Sequence, residues 1–392
     1  MTKNSSLYIF IIWDKSRKMT NEIMNDLKKK FIIRDVYEIS WDKNDFEKNL
    51  LRFYGSLYGA QKKIELCGTG PFLLILLSDP DEKFRKLESK GITLANSNIY
   101  DSKIMYREWI GKEFSIHSSV SKEETNHDLT LLLGKNTEDV EKELKLEWDG
   151  SIKNLEENLH GHNGWDNLEE LVYVLNGTCK YVILRNFDDL YASAHKHHDI
   201  DMLAEGIKTK YIINSLSKKL EKALRVNIDQ KQVYFDVKYP VDHYIDIKWF
   251  RDILERRVLN NNGFYIPSRE DYFYTLLFHL VYHKKQIPKK YETILEILCK
   301  EYGLKEFFNN ANKLDIKNSK ILLSKYMKKM GYQNSNSFKY KIQRSSIQYN
   351  FLFSEVNRLI KKSVLIIQKQ GFKILILEMK NKLKLITNKP ES

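Results

Sequence analysis

Two aspartates separated by one residue inside an apolar run, His198-Asp199-Ile200-Asp201-Met202-Leu203, constrain this chain more than any other feature. On a strand the side-chain period is two, so Asp199 and Asp201 point to the same face. A third acid, Asp236, stands alone in the apolar and aromatic run Val233-Tyr234-Phe235-Asp236-Val237, where an unpaired charge is costly. Three carboxylates from neighbouring strands make an oxygen-only donor set, the kind that suits Mg2+ or Mn2+. One or two such ions can clamp the attacking and leaving oxygens of a phosphoryl transfer. An Asp-x-Asp pair by itself is more often a solvated loop or a cap. The order around it gives it weight: a strand at 181–184, a polar loop at 186–198, the Asp-x-Asp strand, a helix, then the strand carrying Asp236. Lys238 lies two residues past Asp236 and so shares its face.

That order resembles the nucleotidyltransferase fold of the polymerase β superfamily, over about residues 165–290. The resemblance implies that Asp199 and Asp201 match the metal-binding pair. Asp236 matches the third acid, which orients or activates the attacking hydroxyl. Arg185-Asn186, after Tyr181-Val182-Ile183-Leu184, stands where the family carries Gly-Ser to hold nucleotide phosphates. With that departure, Arg185 is the expected phosphate ligand through its planar fork, helped by Asn186, Lys238 and His197. The divergent type with a Leu-Arg-Asn turn is similar to proteins encoded with bacterial surface-polysaccharide genes. The more distant LicD and fukutin-like phosphotransferases also carry such a pair, but their run of consecutive aspartates is absent from this sequence.

Elsewhere the chain reads as an α/β N-terminal domain (1–152), an α+β nucleotidyltransferase-like core with a mixed sheet (165–262) and an all-helical C-terminal region (263–392). Strands are expected at 7–13, 31–39 and 72–77, and helices at 19–31, 42–55 and 79–88. The segment 92–134 reads as less regular, and 153–166, rich in Asn, Gly and His, as a linker. Longer helices are expected at 204–225 and 247–259, then at 268–285, 289–301, 304–313, 317–330 and 351–386. Within 104–134, Tyr106-Arg107-x-Trp109, His117-Ser118 and Glu123…His127 faintly resemble the ParB/sulfiredoxin-like phosphate-binding domain. His279 and His283 sit four apart without the intervening glutamate of a zinc-protease helix, so they read as packing residues. No P-loop and no GxGxxG occurs.

Composition sets outer limits. With 392 residues, 42% of them hydrophobic, the chain has material for real cores, which excludes global disorder. No apolar run approaches the roughly 20 residues of a membrane span. The run at 7–13, followed at once by Asp14, reads as a buried strand rather than a leader. Three widely spaced cysteines, Cys67, Cys179 and Cys299, without a CxxC pair fit a reducing cytoplasm. The net charge of +13 favours anionic partners, and eight Lys against two Glu in 361–392 put a large share of it at the C-terminal end. There, apolar residues interleaved with lysines can form a basic amphipathic helix over 361–389, able to lie on the inner face of an anionic membrane.

These features lead to the expectation of a Mg2+- or Mn2+-dependent transferase in polysaccharide biosynthesis. It takes a nucleotide or CDP-activated donor and passes a nucleotidyl or substituted phosphoryl group to a small-molecule or glycan acceptor. The alternatives are an RNA-directed nucleotidyltransferase, against which the lack of an aromatic–basic RNA motif counts, and an inactive binding module on the same fold. A crowded acid cluster further implies that removing one acid relieves repulsion and leaves the metal-free protein no less stable.

Overall fold

The computed structural model describes residues 6–55, 57–87, 93–112, 114–188, 190–193, 199–214, 224–284, 286–303 and 314–333. The protein is mixed α/β. In chain order the first half comprises β1 (Leu7–Ile12), α1 (Thr20–Lys30), β2 (Ile32–Ile39), α2 (Phe46–Tyr54), α3 (Leu57–Cys67), β3 (Phe72–Ser78), β4 (Phe84–Leu87) and β5 (Thr93–Asn96). It continues with α4 (Ser97–Ile110), β6 (Ile116–Ser118), α5 (Lys122–Leu133), α6 (Thr137–Glu143) and β7 (Lys153–Leu155). Next come α7 (Leu168–Thr178), β8 (Tyr181–Ile183), α8 (Leu190–Ser193), β9 (Ile200–Ala204), α9 (Lys208–Ile213), β10 (Leu224–Ile228) and β11 (Lys231–Lys238). The remainder is α10 (Ile247–Glu255), β12 (Val258–Leu259), β13 (Tyr265–Ile266), α11 (Arg269–His283), α12 (Lys289–Glu301) and α13 (Ile316–Met330).

The first sheet has the order β6-β1-β3-β2-β7. Strands β1 and β3 are buried at every position, as their unbroken apolar runs require of strands covered on both faces. They pair antiparallel with each other; β2 is antiparallel to β3, and β7 is parallel to β2. Helix α1 turns Ile23, Met24 and Leu27 onto this sheet, where they join Phe10, Val36 and Ile75 in one core.

In this half the structure corrects three expectations. Residues 84–87 form a strand paired antiparallel with β5, not a helix. Asp79, read as a helix start, instead accepts hydrogen bonds from the side chains of Asn96 and Asn98 and from the Asp81 amide, which closes the turn before β4. The described residues of 92–134 form β5, α4, β6 and α5, and Asn96 and Ser121 cap the two helices with their side chains. The stretch 153–166 is not a free linker. It contributes β7 to the sheet, its His162 pairs with Asp45 at 3.0 Å, and the buried guanidinium of Arg52 donates to the carbonyls of Leu159 and His160.

The second sheet has the order β10-β11-β9-β8. Strand β9 is antiparallel to β8 and parallel to β11, so the sheet is mixed. Asp229 and Gln230, both at positive φ (48° and 58°), make the two-residue turn joining β10 to β11, a backbone twist that matches a hairpin. The long helix expected over 204–225 is shorter. β9 runs through Ala204, α9 is confined to Lys208–Ile213, and Arg225 belongs to β10, where exposed and buried positions alternate. Helix α10 ends at Glu255, and Val258–Leu259 pair with Tyr265–Ile266 instead of extending it. Described residues beyond 268 are helical apart from short connections. The helices expected at 304–313 and 351–386 lie outside the described residues, as does the basic stretch 361–389. The chain divides into two compact units, residues 1–323 and 324–392, and both sheets belong to the first.

Candidate functional site

The register of the second sheet positions the acids. Asp201 on β9 and Asp236 on β11 are direct partners across a parallel pair. Inward residues Val233, Phe235 and Val237 are buried, so the alternate residues Asp236 and Lys238 share the half-buried outer face, as Asp201 does on its strand. Asp199 precedes β9 and is exposed. His197, expected to help bind phosphate, lies outside the described residues.

Strand β8 delivers Arg185 to this face. The Leu184 amide still donates to the Asp201 carbonyl at 2.8 Å, so the chain leaves the sheet only at Arg185. Asn186 then takes a left-handed conformation (φ 58°), which Asn tolerates better than most residues, and its amide nitrogen donates to the Tyr291 hydroxyl at 3.1 Å. Arg185 is 5% exposed. Its Nε and Nη2 donate to the two carboxylate oxygens of Asp201 at 2.8 and 2.6 Å, a bidentate pair. Its Nη1 reaches the Tyr244 hydroxyl at 3.4 Å, and that hydroxyl lies 3.1 Å from His279 Nδ1. The Tyr244 ring stacks on His283, with centroids 5.0 Å apart. On the neighbouring strand Lys238 Nζ donates to Asp236 at 2.7 Å.

Burial raises the Asp201 carboxyl above its ordinary value. Arg185 pulls the other way, and Asp236 and Asp199 add to the rise. Burial works against the Arg185 charge too, but Tyr244 and Asp201 outweigh it and fix the guanidinium in its charged form. His279 is pushed down to about 3 by burial first, then by Arg185, Lys284 and His283. Burial and the same arginine lower His283. Both rings are therefore neutral near pH 7 and serve as hydrogen-bonding and stacking partners of Tyr244.

Among the described residues no group of three His, Cys, Asp or Glu side chains is placed to hold a metal ion. The carboxylates of Asp201 and Asp236 are turned toward Arg185 and Lys238, and Asp199 extends into solvent. Asp201 and Asp236 thus sit side by side on one face of the sheet's two central strands, Asp199 lies just before β9, and the three do not close into a tight trio. The donor chemistry, two carboxylates in paired register on adjacent strands, still suits a hard divalent cation.

Tyr244, His279 and Tyr291 carry no motif that marks them for this site. The one available signal, the helical pair His279 and His283, reads equally as core packing. In the other half of the unit, the weaker signal over 104–134 is divided. Tyr106 is buried and bonded to Asp26, Trp109 is exposed, and Arg107 donates to the Ile116 carbonyl. His117 and His127 converge on Asp128.

No family model, curated protein or solved structure matches the chain.

Proposed function

We propose that the second sheet is a nucleotidyltransferase-like core, and that the protein is a Mg2+- or Mn2+-dependent transferase moving a nucleotidyl or substituted phosphoryl group to a small-molecule or glycan acceptor. The observation that carries this reading is the direct register of Asp201 and Asp236 with a buried arginine fork beside them. Asp201 and Asp236, with Asp199 at the strand entrance, would hold the cation. That ion would supply charge neutralisation for phosphate oxygens.

The residues of the chain have definable parts. Arg185 and Lys238 are now counter-ions of the two acids. A donor's phosphates present the same oxygen geometry as a carboxylate, so both side chains can exchange acid for phosphate when the donor arrives. Asp236 is the less buried of the two paired acids, and it is suited to accept the proton of the attacking hydroxyl. Tyr244, held between Arg185 and neutral His279, keeps the guanidinium in place beside Asp201.

A second reading has its own observation. Arg185 already saturates Asp201 on both oxygens, which favours an inactive binding module whose acids are structural. The two are separated by incubating the full chain with each radiolabelled nucleoside triphosphate and with CDP-activated polyols, with Mg2+ or with EDTA. Mg2+-dependent label transfer that is lost in Asp236→Asn supports the transferase. Donor retention without transfer, indifferent to EDTA, supports the binding module.

A further inference from the structure

A second group of buried polar side chains gathers around Asp128 on α5, on residues that the proposed transfer reaction does not use. Asp128 is 4% exposed and bonds His117 Nε2 at 2.7 Å and His127 Nδ1 at 2.8 Å. Burial opposes its charge, but the two imidazoles hold its carboxyl well below the usual range, so it is the acceptor and both ring nitrogens facing it carry hydrogen. Burial also keeps both rings neutral near pH 7. His117 is thereby fixed in one tautomer, with Nδ1 left as an acceptor.

The His117 ring meets the edge of Tyr54 at 5.7 Å. The Tyr54 hydroxyl is buried and has no hydrogen-bond partner among the described residues. Over the face of the same ring lies the ammonium of Lys63, 3.9 Å from the centroid. Lys63 is 8% exposed, and no carboxylate comes within ion-pair distance of it among the described residues. The rings of Trp13, Tyr54 and Phe114 face the Lys63 ammonium and offset part of the cost of burying it without a carboxylate, while the buried Tyr54 phenol has no acceptor among the described residues. These are two unpaired donors and one unpaired acceptor around a single aromatic ring.

We propose that Lys63, Tyr54 and His117 form an oxyanion site that selects a singly protonated phosphoryl group, either monohydrogen phosphate or the terminal group of a phosphate monoester. Two of its oxygens accept from Lys63 Nζ and the Tyr54 hydroxyl, and its P–OH donates to His117 Nδ1. Asp128 sets the tautomer and does not touch the ligand. The acceptor at His117 is what distinguishes this site from a plain basic patch. Sulfate has the same shape but no proton near pH 7, so it leaves Nδ1 unsatisfied and brings a fourth bare oxygen against it. The site stands independently of the transferase reading.

Calorimetric titration of the full chain at about pH 6, where inorganic phosphate and methyl phosphate retain a P–OH and sulfate has none, tests it with these three ligands. Phosphate or its ester should bind at least about tenfold more tightly than sulfate. Tighter binding of methyl phosphate identifies the monoester as the natural form, and tighter binding of inorganic phosphate identifies the free ion. Lys63→Met should abolish binding, and Tyr54→Phe should weaken it. Equal binding of sulfate and phosphate, or no binding at millimolar ligand, overturns the proposal. So does binding that survives Lys63→Met. Should Lys63→Met not fold, Tyr54→Phe, which removes one oxygen only, decides: unchanged affinity there overturns the site.

Discussion

Arg185 holds Asp201 by two parallel hydrogen bonds of 2.8 and 2.6 Å, and both side chains are largely withdrawn from solvent. The pair changes what the Asp-x-Asp motif implies for stability. Repulsion among three acids predicts that losing one costs the metal-free protein nothing. In the structure, Asp201 instead neutralises a buried guanidinium.

Asp201→Ala is therefore predicted to destabilise the metal-free protein. Removing one partner of a buried pair leaves the other charge uncompensated, which costs about 3–5 kcal/mol. The double variant Arg185→Met/Asp201→Leu removes both charges and should recover most of that loss. Urea unfolding of the two variants checks it. An Asp201→Ala protein as stable as wild type would show that Arg185 finds another partner.

Asp236 behaves differently, because its carboxylate and Lys238 are each about a third exposed. Asp236→Asn should change stability by no more than about 1 kcal/mol, as for most surface ion pairs. On the transferase reading it should slow label transfer by about a hundredfold or more, the usual contribution of a positioned base. A large stability loss with unchanged transfer would reverse the roles of the two acids.

The sign of the pH dependence follows from His279. Its ordinary value is 6.5 and its folded value about 3, so the unfolded chain takes up a proton that the folded chain refuses. The stability it contributes is full above the ordinary value and is lost as pH falls toward the folded one. In that window unfolding free energy should drop by about 1.4 kcal/mol per pH unit for this one proton. Comparing acid unfolding of wild type with His279→Phe isolates it: the variant's slope should be shallower by one proton, and parallel curves would contradict the neutral, buried ring.

Tyr244→Phe removes the hydroxyl between Arg185 and His279 and leaves the ring stacked on His283. The expected loss is about 1–2 kcal/mol, one buried hydrogen-bond node. Donor affinity should fall with it, since Arg185 loses the group that aims it. Thermal unfolding and donor-binding titrations measured on the same preparation check the two effects together.

Much of this site is legible in the sequence because strand periodicity is local. The lone Asp236 with Lys238 two residues on shows its shared face without any knowledge of the fold, whereas Asp199 precedes β9 and lies outside the strand period. The unbroken apolar runs at β1 and β3 identify buried strands in the same way. Tyr244 is not legible, because a short turn after Pro240 brings it to Arg185 and nothing in its own neighbourhood marks it. The stretch 153–166 reads as a linker on composition, whereas Arg52, more than a hundred residues earlier in the chain, ties its carbonyls down. Residues 84–87 read as helical beside Asp79, but pairing with β5 decides their form. In each case a long-range partner overrides a local preference.

On the proposed reading, Asp201 and Asp236 hold a divalent cation when Arg185 and Lys238 turn to a phosphate donor. Crystals of the full chain soaked in Mn2+, with and without nucleoside triphosphate, test it directly through anomalous diffraction. A manganese peak is expected between the two carboxylates in the nucleotide soak, with the Arg185 fork moved off Asp201 and onto phosphate. Bound nucleotide with no peak there, and the Arg185–Asp201 pair intact, would contradict it.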